Sequence, residues 1–527
     1  MIRLRQIKIN IENDNTNNLL NKISNKLKIN TSLISNYKII KKSIDARDKT
    51  NINYVYEIDV EVPNEDAILK RLNNKDIIKA PIEEYKLPKS GDTKLNTKPI
   101  IIGSGPAGLF VGYFLSQKGF NPIIIERGEK IEDRIKTVEK FFETNELNVN
   151  SNIQFGEGGA GTFSDGKLNT LTKDKSFRNK KVIEIFYECG APEEILYEAK
   201  PHIGTDILRN VIVTMRNRII ESGGTFLYNS TMTDLIIENN KVNGIVINDY
   251  EKIYSDIVVL ALGHSARDTF KMLYARGLNM NPKNFAVGLR IEHPREMIDE
   301  SQYGKYHYLL PSASYKLTYQ TKSGRGVYSF CMCPGGYVVN ASSEEKRICI
   351  NGMSNFKRNE KNSNSAIVVT VTPKDYGEDI LKGLEFQRKL EENAYIEGKG
   401  NIPVQLYKDF RENKTSTSFG KYMPNTKGKY SLSNLNNVIP KFISDSIKES
   451  LPEFGKRIKD FDRDDAILLG VEARTSSPIV IVRDENYKSS IDGIYPCGEG
   501  AGYAGGIITA AIDGIKIAEE IIKTYHV

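Results

Sequence analysis

The 527-residue sequence has little cysteine, little net charge and no long hydrophobic run. Its five cysteines are few and odd in number, which excludes a small disulfide-stapled scaffold and favours a reducing, cytoplasmic compartment. The most apolar window, residues 100–115, contains four glycines and a proline and is too short for a membrane-spanning helix. A net charge of +7, from 74 basic and 67 acidic residues, excludes a dedicated polyanion binder.

The positive charge is concentrated at the N-terminal end. Residues 1–50 hold eleven Lys and Arg against four Asp and Glu. Strand-like alternation at residues 4–10 and 54–62, with helical spacing at 19–27, predicts a small basic α+β domain with a linker over residues 1–94. Its charge could serve to dock RNA, but no RNP-like or zinc motif supports that hypothesis.

Strands alternate with helices from residue 95, which is typical of a doubly wound α/β fold. The pattern becomes strand-rich over residues 286–461. A short strand and a long helix then return within residues 462–527. We therefore predict one α/β domain in two parts, 95–285 and 462–527, separated by an inserted β-rich substrate domain over 286–461.

A glycine motif follows the first strand of this α/β domain. It reads Gly103-Ser104-Gly105-Pro106-Ala107-Gly108, between three isoleucines and a helix. The glycines permit a tight turn, close approach of a pyrophosphate to the backbone and close packing of helix on strand. Glu126 ends the next strand, where a carboxylate can accept ribose hydroxyls. Together these features predict a Rossmann-like dinucleotide site.

Two features favour FAD over NAD. The glycine motif occurs once, whereas an enzyme that holds both nucleotides would carry it twice. A second glycine cluster precedes the last helix and can supply backbone amides to the ribityl and flavin end of a long cofactor. Its candidate cofactor-binding residues are Gly498, Glu499, Gly505, Gly506 and Ile507. NAD(P)H would then bind only as a transient electron donor.

These motifs, with the strand that ends at Gly263, resemble the flavoprotein superfamily that includes glutathione reductase and p-hydroxybenzoate hydroxylase. More closely, the chain resembles bacterial proteins described as uncharacterised FAD-dependent dehydrogenases. That similarity extends over nearly the whole chain and is clearest at residues 43–47, 155–168, 263–268, 330–336 and 496–507. The resemblance implies an FAD-binding fold and a redox role. It also implies that Glu499 occupies the place of an aspartate that binds the ribityl–phosphate region in relatives.

The resemblance implies further cofactor contacts. In relatives, the loop after the second strand passes the flavin ring, and here it corresponds to the glycine-rich residues 156–166. Lys167 is then a candidate to stabilise negative charge on the reduced flavin. Arg134 occupies the place of an arginine near flavin or substrate, although a solvated helix charge is an equal alternative. The remaining candidates are Arg127, Gly158, Gly159, Ala160, Gly161, Thr162, Met232 and Gly263.

Four residues in the inserted domain are candidates for chemistry on the substrate. On a regular strand, Cys331 and Cys333 would share one face, at the edge of disulfide distance. Core packing is the alternative for both, and no metal is expected because Cys-x-Cys lacks metal-site spacing. Arg290 could bind a carboxylate and His293 could donate a proton, against the alternative of a surface Arg–Glu ladder. Residues 470–478 are expected to line the cofactor cavity.

The sequence thus predicts an FAD-dependent oxidoreductase that exchanges a hydride or an electron pair with a small organic substrate. We expect this substrate as the binding partner, and we expect no membrane and no nucleic acid. One alternative is a flavin-dependent RNA-modifying enzyme that docks RNA through the basic N-terminal domain. Another is a binding scaffold of this fold that has lost its cofactor, against which the intact glycines and Glu126 argue.

Overall fold

A computed structural model of the chain describes residues 1–170, 172 and 174–527. The N-terminal domain is a four-stranded sheet, in the order β2-β3-β1-β4, with two helices packed on it. Its elements are β1 Ile2–Asn10, α1 Thr16–Leu27, β2 Asn36–Asp45, β3 Asn53–Glu61, α2 Glu65–Leu72 and β4 Ile77–Lys79.

Acidic neighbours neutralise much of the positive charge of this domain. Five of its first eleven basic residues form ion pairs within the domain: Arg3, Arg5, Lys8, Lys42 and Arg47. Such pairing lowers the positive potential that RNA docking would need. The RNA-modifying alternative therefore gains no support from these contacts.

The second unit is built on a parallel five-stranded sheet, in the order β25-β12-β6-β7-β8. A separate three-stranded antiparallel sheet, β11-β10-β9, packs against it. The first part of the unit comprises β5 Thr93–Lys94, β6 Ile100–Ile102, α3 Pro106–Gln117, β7 Ile123–Ile125, α4 Ile131–Thr144, α5 Arg178–Glu188, α6 Thr205–Glu221, β8 Thr225–Leu227, β9 Met232–Glu238, β10 Lys241–Ile247, β11 Glu251–Tyr254, β12 Val258–Leu260 and α7 Arg267–Ala275.

The third unit is a mostly antiparallel seven-stranded sheet, in the order β15-β16-β19-β14-β23-β20-β22, with helices packed on it. Residues 280–472 comprise β13 Met280–Pro282, β14 Phe285–Pro294, α8 Arg295–Tyr303, β15 Thr318–Gln320, β16 Gly326–Cys333, β17 Tyr337–Asn340, β18 Ile350–Met353, β19 Asn362–Val371, α9 Pro373–Tyr376, α10 Lys382–Glu397, β20 Ile402–Leu406, α11 Tyr407–Glu412, β21 Thr426–Lys427, β22 Tyr430–Leu432, α12 Lys441–Gly455 and β23 Ile467–Glu472.

The chain returns to the parallel sheet later than the sequence predicts. The expected boundary lies at residue 462, but β23 pairs with β14 and β20 in the inserted sheet, so the insertion extends to Glu472. The run Ile467–Glu472 is buried on both faces, and its pairing with these two strands assigns it to the inserted sheet. The last elements are β24 Ile479–Ile481, β25 Ile494–Pro496, α13 Ile507–Thr524 and β26 Tyr525–His526.

Helices α3 and α13 pack closely against each other beside the parallel sheet. A Cβ added at Gly514 would lie 2.3 Å from the carbonyl oxygen of Ala107, so only glycine permits this approach. Helix α3 follows β6 and helix α13 follows β25, two strands that run parallel in this sheet, so the N-termini of both helices lie at the same edge. Across the described residues, no helix combines the length and the apolar character needed to cross a bilayer.

Candidate functional site

A cavity of about 620 Å³ opens at the carboxyl edge of the parallel sheet. One part of its wall follows the ends of β6, β7 and β12. Another part comes from β16 and β23 of the inserted sheet and from β18, which belongs to a separate three-stranded sheet, β18-β17-β21. Ligands of open α/β folds bind at this edge. The cavity thus lies between the two units that the sequence predicts to hold cofactor and substrate.

The first glycine motif forms one end of the cavity. Gly103 adopts a left-handed φ of +100°, and Gly103, Gly105, Pro106 and Ala107 line the wall. Gly108 lies behind them, where an added Cβ would be 1.9 Å from the carbonyl oxygen of Gly103. Its contribution is therefore the close packing of α3 on β6, and α3 begins with its N-terminus at the cavity.

Glu126 lines the cavity and also ties its loops together. One carboxylate oxygen accepts hydrogen bonds from the backbone N–H and the hydroxyl of Ser104, at 3.0 and 2.7 Å. The other accepts from the N–H groups of Gly128 and Gly156, both at 2.9 Å. Three of these donors are backbone amides and one is a rotatable hydroxyl. The hydroxyl can turn away and release an acceptor position to a ligand, whereas the amides hold the loops.

Arg134 lies behind the cavity wall and not on a solvated helix face, so the alternative of a solvated helix charge is wrong, whereas its nearness to the flavin stays a prediction. The side chain is fully buried and donates to four carbonyl oxygens in and just before the glycine-rich loop, those of Asn152, Ile153, Glu157 and Gly159. Burial lowers its pKa to about 10, which still leaves it charged at neutral pH. Arg134 therefore fixes the backbone of the loop behind the wall.

The glycine-rich loop contributes Gly159, Ala160 and Gly161 to the wall. Thr162 is buried behind them, and an added Cβ on Gly158 would lie 2.2 Å from its hydroxyl. These two predicted cofactor contacts are thus packing positions. The remaining wall on this side includes Arg127, Met232 and Gly263, as well as Phe155, which lies under the Arg127 guanidinium.

At the C-terminal cluster, Gly505, Gly506 and Ile507 line the cavity at the start of α13. Gly498 is not in the wall, and its N–H donates to Asp513 at 2.8 Å. Glu499 is in the wall and accepts hydrogen bonds from the N–H of His264 at 3.1 Å and from its ring Nδ1 at 2.6 Å. The other ring nitrogen of His264 is buried and has no partner among the described residues.

The far end of the cavity is polar. Its wall contains Lys167, Cys331, Asn351, Glu472 and Arg474. Glu472 and Arg474 fall in the segment that the sequence predicts to line the cavity. The sequence does not predict Asn351 as a cavity residue, because it belongs to no recognisable motif. Burial raises the pKa of Glu472, and the adjacent guanidinium of Arg290 opposes that rise.

Arg290 lies behind this wall rather than in it. The side chain is fully buried and donates to Glu472 at 3.0 Å, to Asn364 at 2.8 Å, to Asn351 at 3.2 Å and to the carbonyl of Cys331 at 3.1 Å. The expectation that it binds a substrate carboxylate directly is wrong, because its donors are engaged by the protein. It positions the residues that do reach the cavity.

His293 lies away from the cavity, which contradicts its predicted role as a proton donor. Its ring is fully buried against Phe461, and Nε2 lies 2.7 Å from the carbonyl oxygen of that residue. Burial lowers its pKa to about 4, so it is neutral at pH 7. It is a core residue of the inserted domain.

Cys331 and Cys333 do not lie on a regular strand. Phe330 pairs with Ala366 and Cys333 pairs with Asn364, so a bulge inserts one residue between them. Cys331 takes a left-handed φ of +43° and reaches the cavity, whereas Cys333 is fully buried. Both are free thiols.

A parallel sheet with a glycine motif at its edge and an acidic residue after the second strand defines a dinucleotide-binding α/β protein. Residues 284–475 match a family model described as "FAD-dependent protein, C-terminal domain-like", and residues 1–61 match a domain of unknown function, DUF8436. An uncharacterised protein of Clostridium beijerinckii is 45% identical over 531 residues, which cover 99% of each chain. The chain belongs to the family of that protein.

More distant similarities involve other proteins. Thiamine thiazole synthase of Aeropyrum pernix is 23% identical over 221 residues, 39% of this chain and 68% of that enzyme. Among solved structures, a flavin-dependent brominase variant matches with a TM-score of 0.38 and 13% identity, over 81% of this chain and 80% of that one. The L-proline dehydrogenase of P. horikoshii matches with a TM-score of 0.34 and 14% identity, over 82% and 94%.

Proposed function

We propose that the protein is an FAD-dependent oxidoreductase, of the superfamily that includes glutathione reductase and p-hydroxybenzoate hydroxylase. In this proposal it exchanges a hydride or an electron pair between FAD and a small organic substrate. The observation that carries the proposal is the single continuous cavity of about 620 Å³ that joins the glycine motif to the polar wall of the inserted sheet. This volume is within the range of about 300–1,000 Å³ typical of cofactor and ligand sites.

The nucleotide end has the features that a pyrophosphate needs. The N-termini of α3 and α13 both reach the cavity, at Pro106 and Ile507, and the positive end of a helix dipole stabilises a bound anion. At Gly263, Gly505 and Gly506, an added Cβ would meet no protein atom within 4 Å. The protein does not itself require glycine there for packing, so the open space suits a ligand that approaches the backbone.

His264 supplies a second argument. Its Nε2 is buried without a partner among the described residues, and leaving such an atom unsatisfied costs roughly 1–3 kcal/mol. A ribityl hydroxyl or a phosphate oxygen beside it would satisfy this atom. Glu499 holds the ring in place through Nδ1, so the expected cofactor contact moves from Glu499 to His264 with Glu499 behind it.

When bound, FAD would supply the redox chemistry. The residues of the chain would bind and orient the reactants. Lys167 remains charged because Asp165 raises its pKa against the effect of burial, and its ammonium lies 3.3 Å from that carboxylate. Lys167 can therefore balance negative charge that develops at this end of the cavity. Asn351, held by Arg290, offers a hydrogen-bonding amide to the substrate.

The test is the absorption spectrum of the purified full chain, followed anaerobically while NADH or NADPH is added. We expect a flavin band and release of FAD on denaturation. Bleaching by either nucleotide would identify the electron donor, and a band that stays oxidised would indicate that electrons enter from the organic substrate. No flavin band after incubation with FAD would overturn the proposal.

A further inference from the structure

The bulge in β16 creates a cysteine pair that the proposed function does not yet use. A left-handed φ is uncommon for a residue with a side chain, and strained backbone of this kind concentrates at functional sites. Here it turns Cys331 into the cavity wall while Cys333 stays buried beside it. The Cys333 thiol donates a hydrogen bond to the carbonyl oxygen of Cys331, with sulfur and oxygen 3.4 Å apart.

Cations surround this pair. Lys167 is in the same wall and donates to the carbonyl oxygen of Met332, the residue between the two cysteines. Arg290 donates to the carbonyl of Cys331 at 3.1 Å. The neighbouring Cys333 thiol, together with the charges of Lys167 and Arg290, holds the pKa of Cys331 well below its usual value. The neighbouring Cys331 thiol and burial raise the pKa of Cys333. A thiolate beside a protonated thiol is the arrangement from which a disulfide forms.

The other three cysteines lack these features. Cys189, Cys349 and Cys497 are buried, and none is in the cavity wall. Burial raises the pKa of each of them, to about 11 for Cys189 and about 12 for Cys349. They therefore serve as internal references for the behaviour of an inert thiol in the same chain.

We propose that Cys331 and Cys333 are a redox-active dithiol–disulfide pair that exchanges two electrons with FAD bound in the cavity. This inference rests on the proposed function and assigns thiol or disulfide compounds as its substrate class, with Cys331 as the point of exchange. On oxidation, the Cys331 thiolate and the Cys333 thiol form one S–S bond and the S–H bond of Cys333 breaks. The electron pair and that proton pass to the oxidised flavin, and the reverse step reduces the disulfide.

The first test counts thiols and does not depend on activity. The purified holoprotein is equilibrated anaerobically in mixtures of reduced and oxidised dithiothreitol, quenched in acid, unfolded and alkylated. Mass spectrometry then reads the peptide that contains both cysteines. We expect it to change from two alkyl groups to none as the mixture becomes oxidising, while Cys189, Cys349 and Cys497 stay alkylated. Two alkyl groups on this peptide in every mixture would overturn the proposal.

The second test links the pair to the flavin. Reduced dithiothreitol added anaerobically should bleach the flavin band of the wild-type holoprotein and of the control Cys349→Ser at the same rate. It should bleach the flavin band of Cys333→Ser at least about tenfold more slowly. Equal rates in all three proteins would overturn the relay. If the protein bound no FAD, the proposed function would fail, and the thiol count would still report on the pair.

Discussion

Arg134→Met is the change that most directly probes how the cavity wall is held. The guanidinium donates to four buried carbonyl oxygens at 2.6–3.0 Å. Each hydrogen bond to a charged group contributes roughly 1.5–3 kcal/mol, but the cost of burying the charge offsets part of that sum. Without the guanidinium, four buried carbonyl oxygens lose their donors at roughly 1–3 kcal/mol each, and because the cost of burying the charge is also removed, we expect a net loss of stability of about 3–5 kcal/mol.

The chain offers a matched control for this variant. Arg209 lies over the same Phe163 ring, with its guanidinium carbon 4.9 Å from the ring centroid, as in Arg134. Its Nε has no partner among the described residues, so Arg209→Met should cost less than about 1 kcal/mol. Urea unfolding and hydrogen exchange of residues 152–159 measure the difference. Equal stability and equal exchange in the two variants would refute the reasoning.

Two further predictions concern the inserted domain. The pKa of His293 is about 4 in the folded protein, against 6.5 in the unfolded chain, so its contribution of about 3 kcal/mol to stability is present above pH 6.5 and is lost as the pH falls toward 4. In His293→Phe, the urea concentration at the unfolding midpoint should therefore vary less with pH between 6.5 and 4 than in the wild type. The same pH dependence in both proteins would contradict this. Glu391 accepts hydrogen bonds from both Arg267 and Arg474, and all three are buried, so Glu391→Gln should lower stability by about 3–5 kcal/mol. Glu392→Gln, at a partly exposed position, should leave the temperature of thermal unfolding nearly unchanged.

The fold and the nucleotide end of the cavity could be predicted because their signals are local. The isoleucine run, the glycine motif and Glu126 lie within about one βαβ unit, where spacing dictates geometry. The boundary near residue 462 was wrong because a buried run such as Ile467–Glu472 does not reveal which sheet it joins. Pairing between distant strands decides that, and spacing along the chain does not record it.

The residues at the substrate end of the cavity were harder to predict, because a charged side chain that is fully buried binds protein groups instead of a ligand. Arg134, Arg290 and His293 are chemically capable side chains, yet all three are fully buried and engaged by protein acceptors. Sequence alone does not distinguish such positions from cavity positions. The bulge that brings Cys331 into the wall likewise arises where β16 pairs with β19, and no glycine or other turn residue at Cys331 predicts it from the sequence.

The central claim is that FAD binds in this cavity, and FAD titration of flavin-stripped Gly505→Val tests it most directly. Gly505 is exposed, and an added Cβ would meet no protein atom, so valine fills cavity space without disturbing the fold. Gly326→Val is the control, because an added Cβ there meets only the Thr370 hydroxyl, at 3.5 Å, away from the cavity.

We expect wild type and Gly326→Val to bind FAD alike and Gly505→Val to bind at least about tenfold more weakly, which corresponds to about 1.4 kcal/mol. All three apoproteins should unfold at the same temperature. Unchanged FAD affinity in Gly505→Val would contradict the location of the site, and no binding by the wild type would contradict the account as a whole.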